Sequence, residues 1–71
     1  MHVKVIELVG ESSVSWKDAV QSALAEASRS ISNISGVEVY NLTANVDNGK
    51  ISEFKANVKI AYAENPGSSR L

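Results

Sequence analysis

The chain is poor in side chains that carry out covalent chemistry. It has one histidine, His2, and no cysteine, so neither a thiolate nucleophile nor a Cys/His zinc set can be built from it. Serines are plentiful, Ser12, Ser13, Ser15, Ser28 and Ser30 among them. None sits in a Gly-x-Ser-x-Gly elbow, and a lone histidine beside the N-terminus is a poor base for any of them. The chain is therefore expected not to be an enzyme. Asp47-Asn48-Gly49 repeats a fragment of a calcium loop, but the further ligands and the closing glutamate are out of register. Asn-Gly reads first as the positive-φ pair of a type I′ hairpin turn. Glu7, Glu11, Glu38 and Glu53 are the acidic candidates for holding a cation, and would do so if side chains of several subunits converge on a symmetry axis. Which of them converge is left open, and the metal ligands are unknown. Lys55 and Lys59 recur on the polar face of the last strand. A cation there holds a phosphate or carboxylate, or pairs with Glu38 or Glu53, which is the commoner fate of a surface lysine.

The elements that position these residues follow from periodicity. Val3 to Val9 is a strand, with Lys4 and Glu7 among apolar residues. Gly10-Glu11-Ser12-Ser13 is expected to end it, Gly10 being free to take backbone angles that other residues avoid. Ser15 is an N-cap, and Asp18 completes a Ser-x-x-Asp capping box and places negative charge at the positive end of the helix dipole. Trp16, Ala19, Val20, Ala23, Leu24, Ala27, Ile31 and Ile34 then recur at steps of three or four, predicting a helix from about Trp16 to Ser32 with one apolar stripe. Trp16 lies on that stripe, which favours a helix anchor over a ligand platform. Asn33 to Gly36 turns the chain, and a helix-ending glycine is a sound reading of Gly36. Val37 to Val46 is a second strand. Its alternation changes phase at Val39-Tyr40, the mark of a bulge or of burial on both faces. Ile51 to Ala63 is the third, with Phe54, Ala56, Val58, Ile60 and Tyr62 on one face and Glu53, Lys55, Asn57 and Lys59 on the other.

The order strand, helix, strand, strand gives an α+β fold. The first two strands run parallel and the third antiparallel to both, so the expected sheet is antiparallel in order 1-3-2 with the helix across one face. Residues 1–64 make one domain, and 65–71, rich in Pro, Gly and Ser, a flexible tail. A domain of 71 residues buries only about 60% of the surface its unfolded chain exposes. Without disulfides or a zinc site, oligomerisation is the compensation left. Long strands with open edges, in a sheet with one bare face, point the same way. Seven Lys and Arg against eight Asp and Glu, with no basic cluster, argue against nucleic acid as a partner. No apolar run approaches a membrane span. The N-terminal MHVKVIELVG lacks a signal peptide's continuous apolar core, and the cytoplasm is the expected location.

Val5-Ile6-Glu7-Leu8-Val9-Gly10, Ser15-Trp16-Lys17-Asp18-Ala19, Ala23-Leu24-Ala25-Glu26-Ala27, Gly36-Val37-Glu38-Val39 and the run from Phe54 to Glu64 closely resemble, in that order, the dodecins. The resemblance spans about Val3 to Glu64. It implies a β-α-β-β subunit whose sheet wraps the helix, and a hollow homododecamer. It also implies a non-enzymatic protein that binds riboflavin, FMN or related flavins, stores them and limits photodamage. Flavin-binding members carry a tryptophan where this chain has Gly36 and a glutamine where it has Lys55. These two positions match the family's flavin site, and both have lost the group that does the binding, so flavin binding is expected to be weak or absent. The family also includes members without that tryptophan, among them a calcium dodecin, which this chain resembles more. The alternatives left open are a planar ligand held with Tyr40 in place of the tryptophan, and a calcium-binding or structural shell without an organic ligand.

Overall fold

The computed structural model describes residues 2–64. It places β1 (Val3–Ser12), α1 (Trp16–Ser28), β2 (Ile34–Asp47) and β3 (Lys50–Ala63) in chain order. β3 is the central strand of an antiparallel sheet in the order β1-β3-β2, as the strand sequence requires. The hairpin between β2 and β3 turns on Asn48 (φ 56°) and Gly49 (φ 80°), the two positive φ values of a type I′ turn. The tail expected over 65–71 lies outside the described residues.

β1 does not stop at Val9. Gly10, Glu11 and Ser12 pair with Ala56, Lys55 and Phe54, so pairing with the long β3 overrides a turn-like composition. Gly10 serves this strand through its size, not through an unusual backbone angle. A Cβ built on it would lie 1.9 Å from the carbonyl oxygen of Ala19 and 3.1 Å from the Cβ of Ala23. Only a hydrogen fits between strand and helix there.

The helix starts as expected. The Ser15 hydroxyl oxygen accepts the Asp18 N–H at 3.0 Å. The capping box is rearranged, because the Asp18 side chain accepts from the Ser12 hydroxyl at 2.7 Å. Ser12 Oγ in turn accepts the N–H groups of Val14 and Ser15. Aspartate is one methylene shorter than the glutamate that usually closes the box, and Ser12 bridges the gap. The helix ends at Ser28, four residues before the expected Ser32. Ser28, Ser30, Ser32 and Asn33 all compete for backbone hydrogen bonds, and the Asn33 carbonyl accepts from Ala63 N–H at 3.0 Å, which demands extended chain. Ile34 therefore belongs to β2 and not to the helical stripe. Gly36 also lies inside β2, opposite Ala61, so it does not end the helix.

Ala19, Ala23 and Ala27 press on Ala56, Val58 and Ile60, and these six form the buried core. Val58 and Ile60 are its only large fully buried side chains. Leu24, on the expected stripe, is only partly buried. The helix packs over β1 and β3 and barely reaches β2. Val37, Val39 and Leu42, which pair with core residues Ile60, Val58 and Ala56, consequently remain 39–51% exposed. The radius of gyration is 14.9 Å, against about 11 Å for a compact domain of this length. So few buried side chains on so extended a sheet leave the chain's apolar surface largely unpaired.

Candidate functional site

The helix covers one face of the sheet, and the chemistry lies on the other. Side chains alternate along each strand, so the bare face collects every second residue of β1 and β3 in rows that run across the strands. One row is Val5, Ala61 and Gly36; the next is Glu7, Lys59 and Glu38; then come Val9, Asn57 and Asn41; then Glu11, Lys55 and Thr43. Asn57 Nδ2 donates to Asn41 Oδ1 at 2.8 Å, and the Lys55 ammonium lies 4.0 Å from Glu11.

The bulge anticipated from the phase change at Val39-Tyr40 is present. Register shifts between Val39 and Asn41, and Tyr40 is the unpaired extra residue. A bulge re-aims the side chain it carries. Here it brings Tyr40 onto the bare face together with Asn41. The Tyr40 hydroxyl donates to Glu7 Oε1 at 3.3 Å, reaching from one edge strand to the other across β3. The Lys59 ammonium lies over the Tyr40 ring, 5.1 Å from its centroid. Reduced hydration, the Glu7 charge and the hydrogen bond to Glu7 all hold the Tyr40 hydroxyl above the ordinary tyrosine pKa. Glu7, Tyr40 and Lys59 thus form one cluster drawn from three strands. Tyr40 and Lys59 were visible in the sequence as separate suspects; the phase change was the signal that could have joined them.

Position 36 is open. A Cβ on Gly36 would meet nothing within 4 Å. Beside it lies a shallow depression of about 270 Å³ lined by Val5, Gly36, Val37, Glu38, Lys59 and Ala61. Lys55 is elsewhere. It stands six residues along β3 from Ala61, the partner of Gly36, or about 20 Å at the strand rise of ~3.4 Å per residue. The fold does not bring the two sequence-derived site residues together within one chain. Lys55 also pairs with Glu11 instead of Glu38 or Glu53, because Glu11 is its cross-strand neighbour, while Glu38 is opposite Lys59 and Glu53 accepts from Asn45 at 3.4 Å. Among the described residues no three acidic or histidine side chains cluster as a metal site, so Glu7, Glu11, Glu38 and Glu53 do not converge within one chain. Trp16 is an anchor. Its Nε1–H donates to the Thr43 carbonyl at 2.9 Å, and its ring packs edge-on against Phe54 with centroids 4.9 Å apart.

One helix on a three-stranded sheet of order β1-β3-β2, with a bare and chemically mixed second face, defines a small sheet-and-helix subunit of the kind dodecins are made from. The chain belongs to the dodecin family: the family model described as Dodecin matches residues 3–64. Solved structures agree. A dodecin variant from T. thermophilus is 25% identical, with TM-score 0.87 over 90% of this chain and 94% of that one. Dodecin from Streptomyces coelicolor superposes with TM-score 0.85 at 23% identity, over 90% and 93% of the two chains. A calcium-chelating antigen of Mycobacterium tuberculosis, calcium dodecin, is 28% identical with TM-score 0.80 over 93% and 94%. No curated protein matches the chain. Among the described residues no helix is long and apolar enough to cross a membrane.

Proposed function

We propose that this chain is a non-enzymatic, cytoplasmic binding and storage protein that assembles into a hollow homododecamer, with the flavin site of its family reduced to a remnant. The observation that carries the reading is the open space at Gly36, where the family resemblance calls for a tryptophan. A flavin needs a plane to cover its ring, and glycine offers none. Each lost base-type stack costs about 1–3 kcal/mol, and loss of two faces lowers affinity by orders of magnitude. Lys55 has donors only, so it cannot match a ring edge that alternates acceptors with an N–H. Assembly is supported by the small alanine-rich core and by the exposed Val37, Val39 and Leu42. The separation of Gly36 from Lys55 supports it too, since only different copies could bring them to one ligand.

Quenching of riboflavin fluorescence tests the reading. The wild type is expected to quench weakly or not at all, and Gly36→Trp with Lys55→Gln to quench measurably, at a mass near twelve subunits by light scattering. Tight binding by the wild type, a stable monomer, or a folded double variant that still fails to quench would overturn it. A second reading, a calcium-binding shell without organic ligand, is supported by the likeness to calcium dodecin. A rise in melting temperature on adding calcium is its test, because a ligand of the folded state stabilises it.

A further inference from the structure

The turn between β2 and β3 puts an asparagine in front of the one residue type that leaves its backbone nitrogen uncrowded by a side chain. Asn48 and Gly49 are both exposed at the tip of the hairpin, in the left-handed backbone of its turn. A Cβ built on Gly49 would meet nothing within 4 Å, so the space beside it is open. Among the described residues no hydrogen bond holds the Asn48 amide or the Gly49 N–H. The other asparagines are hindered. Asn57 donates to Asn41, and Asn45 donates to Glu53. Asn33, Asn41, Asn45 and Asn57 are followed by Ile34, Leu42, Val46 and Val58, each with a bulky side chain beside its nitrogen and each paired in the sheet. Asn65 is followed by Pro66, whose nitrogen carries no proton.

We propose that Asn48 is a site of spontaneous covalent modification, at which the chain converts its own amide to a carboxylate. The Gly49 nitrogen loses its proton to solvent and attacks Asn48 Cγ. A bond forms between Cγ and that nitrogen, the bond from Cγ to Nδ2 breaks, and the amide nitrogen takes up a proton and leaves as ammonia. The product is a cyclic succinimide. Water then opens the ring, giving aspartate when it adds to the side-chain carbonyl and isoaspartate when it adds to the backbone carbonyl. Nothing is oxidised or reduced, and water is the only co-reactant. Glycine is what the turn demands and also what lets the ring close, since a β-carbon would be strained at φ 80° and would crowd the nitrogen. Either product sets a new negative charge beside Asp47. Isoaspartate also lengthens the backbone of a two-residue loop closed by the Asp47–Lys50 pair, which a type I′ turn does not accommodate. The hairpin tip therefore marks old copies of the protein chemically, independently of anything the sheet binds.

The test incubates the purified, folded protein at neutral and at mildly alkaline pH and maps its peptides by mass spectrometry. The peptide holding Asn48 is expected to gain the mass of an amide-to-acid exchange, with an equal amount of ammonia released. The gain is faster at the higher pH, because the attacking nitrogen must lose its proton. An isoaspartyl methyltransferase, used as a reagent, labels the same peptide, while Asn41, Asn45 and Asn57 keep their amides. Asn48→Gly removes the amide and leaves Gly-Gly, a pair that type I′ turns accept. It is expected to abolish the mass gain, the ammonia and the methyl label with circular dichroism unchanged. Three results would overturn the proposal. One is retention of the Asn48 amide in the folded protein while the urea-unfolded chain loses it, which would show that the turn shields the site. The others are deamidation spread evenly over the asparagines, and ammonia release undiminished in Asn48→Gly.

Discussion

Replacing Gly10 with alanine tests the closeness of the helix to the sheet. The added Cβ would stand 1.9 Å from the Ala19 carbonyl oxygen and 2.9 Å from its carbon, both backbone atoms. No rotamer change relieves a clash with backbone. Ordinary contact begins at 3.4 Å, so the helix must withdraw by about 1.5 Å. A radial gap of ~0.5–1 Å already forfeits a quarter to a half of each van der Waals well, and this gap opens under Ala19 and Ala23, two of the six core residues. Overpacking costs about 1–3 kcal/mol where side chains can adjust. With a rigid backbone obstacle the cost is expected to reach at least about 3 kcal/mol. A chain of this length has about 4–11 kcal/mol in total, so the variant should lose a large fraction of its stability. Urea denaturation followed by circular dichroism, at one fixed protein concentration because any assembly would contribute by mass action, measures it. Gly36→Ala is the control: its new Cβ meets open space, and replacing a strand glycine should leave stability unchanged or raised by up to about 1 kcal/mol. If Gly10→Ala falls within about 0.5 kcal/mol of wild type, the helix does not rest on Gly10 and the account of the core is wrong.

Ser15→Ala should cost about 0.5–2 kcal/mol through loss of the cap on the Asp18 N–H; no loss in the same urea assay would mean the helix start is held by Ser12 alone. Tyr40→Phe is expected to flatten the alkaline limb of the stability profile. The folded-state pKa of Tyr40 lies above the ordinary tyrosine value of 10.0, so the native protein keeps its proton longer than the unfolded chain does. Stability contributed by this group is then complete below pH 10.0 and falls as pH rises from there through the folded-state value. Thermal melts of the two proteins between pH 9 and 11 should diverge, and parallel curves would show that the Glu7 contact does not persist in solution.

Sequence patterning was a good guide wherever one local rule acted alone. The Asn48-Gly49 turn, the Ser15 cap, the alternation of β3 and the bulge at Val39-Tyr40 each follow from a preference of a few adjacent residues, and each is present. Pattern failed where two elements competed for the same residues. The helical spacing of Ile31 and Ile34 is genuine, yet the sheet takes Ile34, because a backbone hydrogen bond from Ala63 to Asn33 fixes extended chain there. At Gly10, composition suggested a turn, and the reason for the glycine was a carbonyl nine residues further on. The sequence marked Gly36 and Lys55 as candidates, but their separation along β3 was not legible in it, since that depends on register.

The two glycines carry opposite messages although they are the same residue in the same kind of element. Gly10 is small because something is already there; Gly36 is small and nothing is there. Absence of a side chain is an architectural requirement in the first case and a chemical vacancy in the second. The bare face around Gly36 is furnished all the same. The bulge at Tyr40 changes which way one ring points, the Lys59 ammonium lies 5.1 Å over that ring, and no ion pair joins Lys59 to Glu38, its cross-strand neighbour. The arrangement of charge on this face thus depends on a backbone irregularity two residues from Glu38. Deleting Tyr40 would straighten the bulge and remove the ring, and Lys59 is then expected to turn toward Glu38, its neighbour across the two strands.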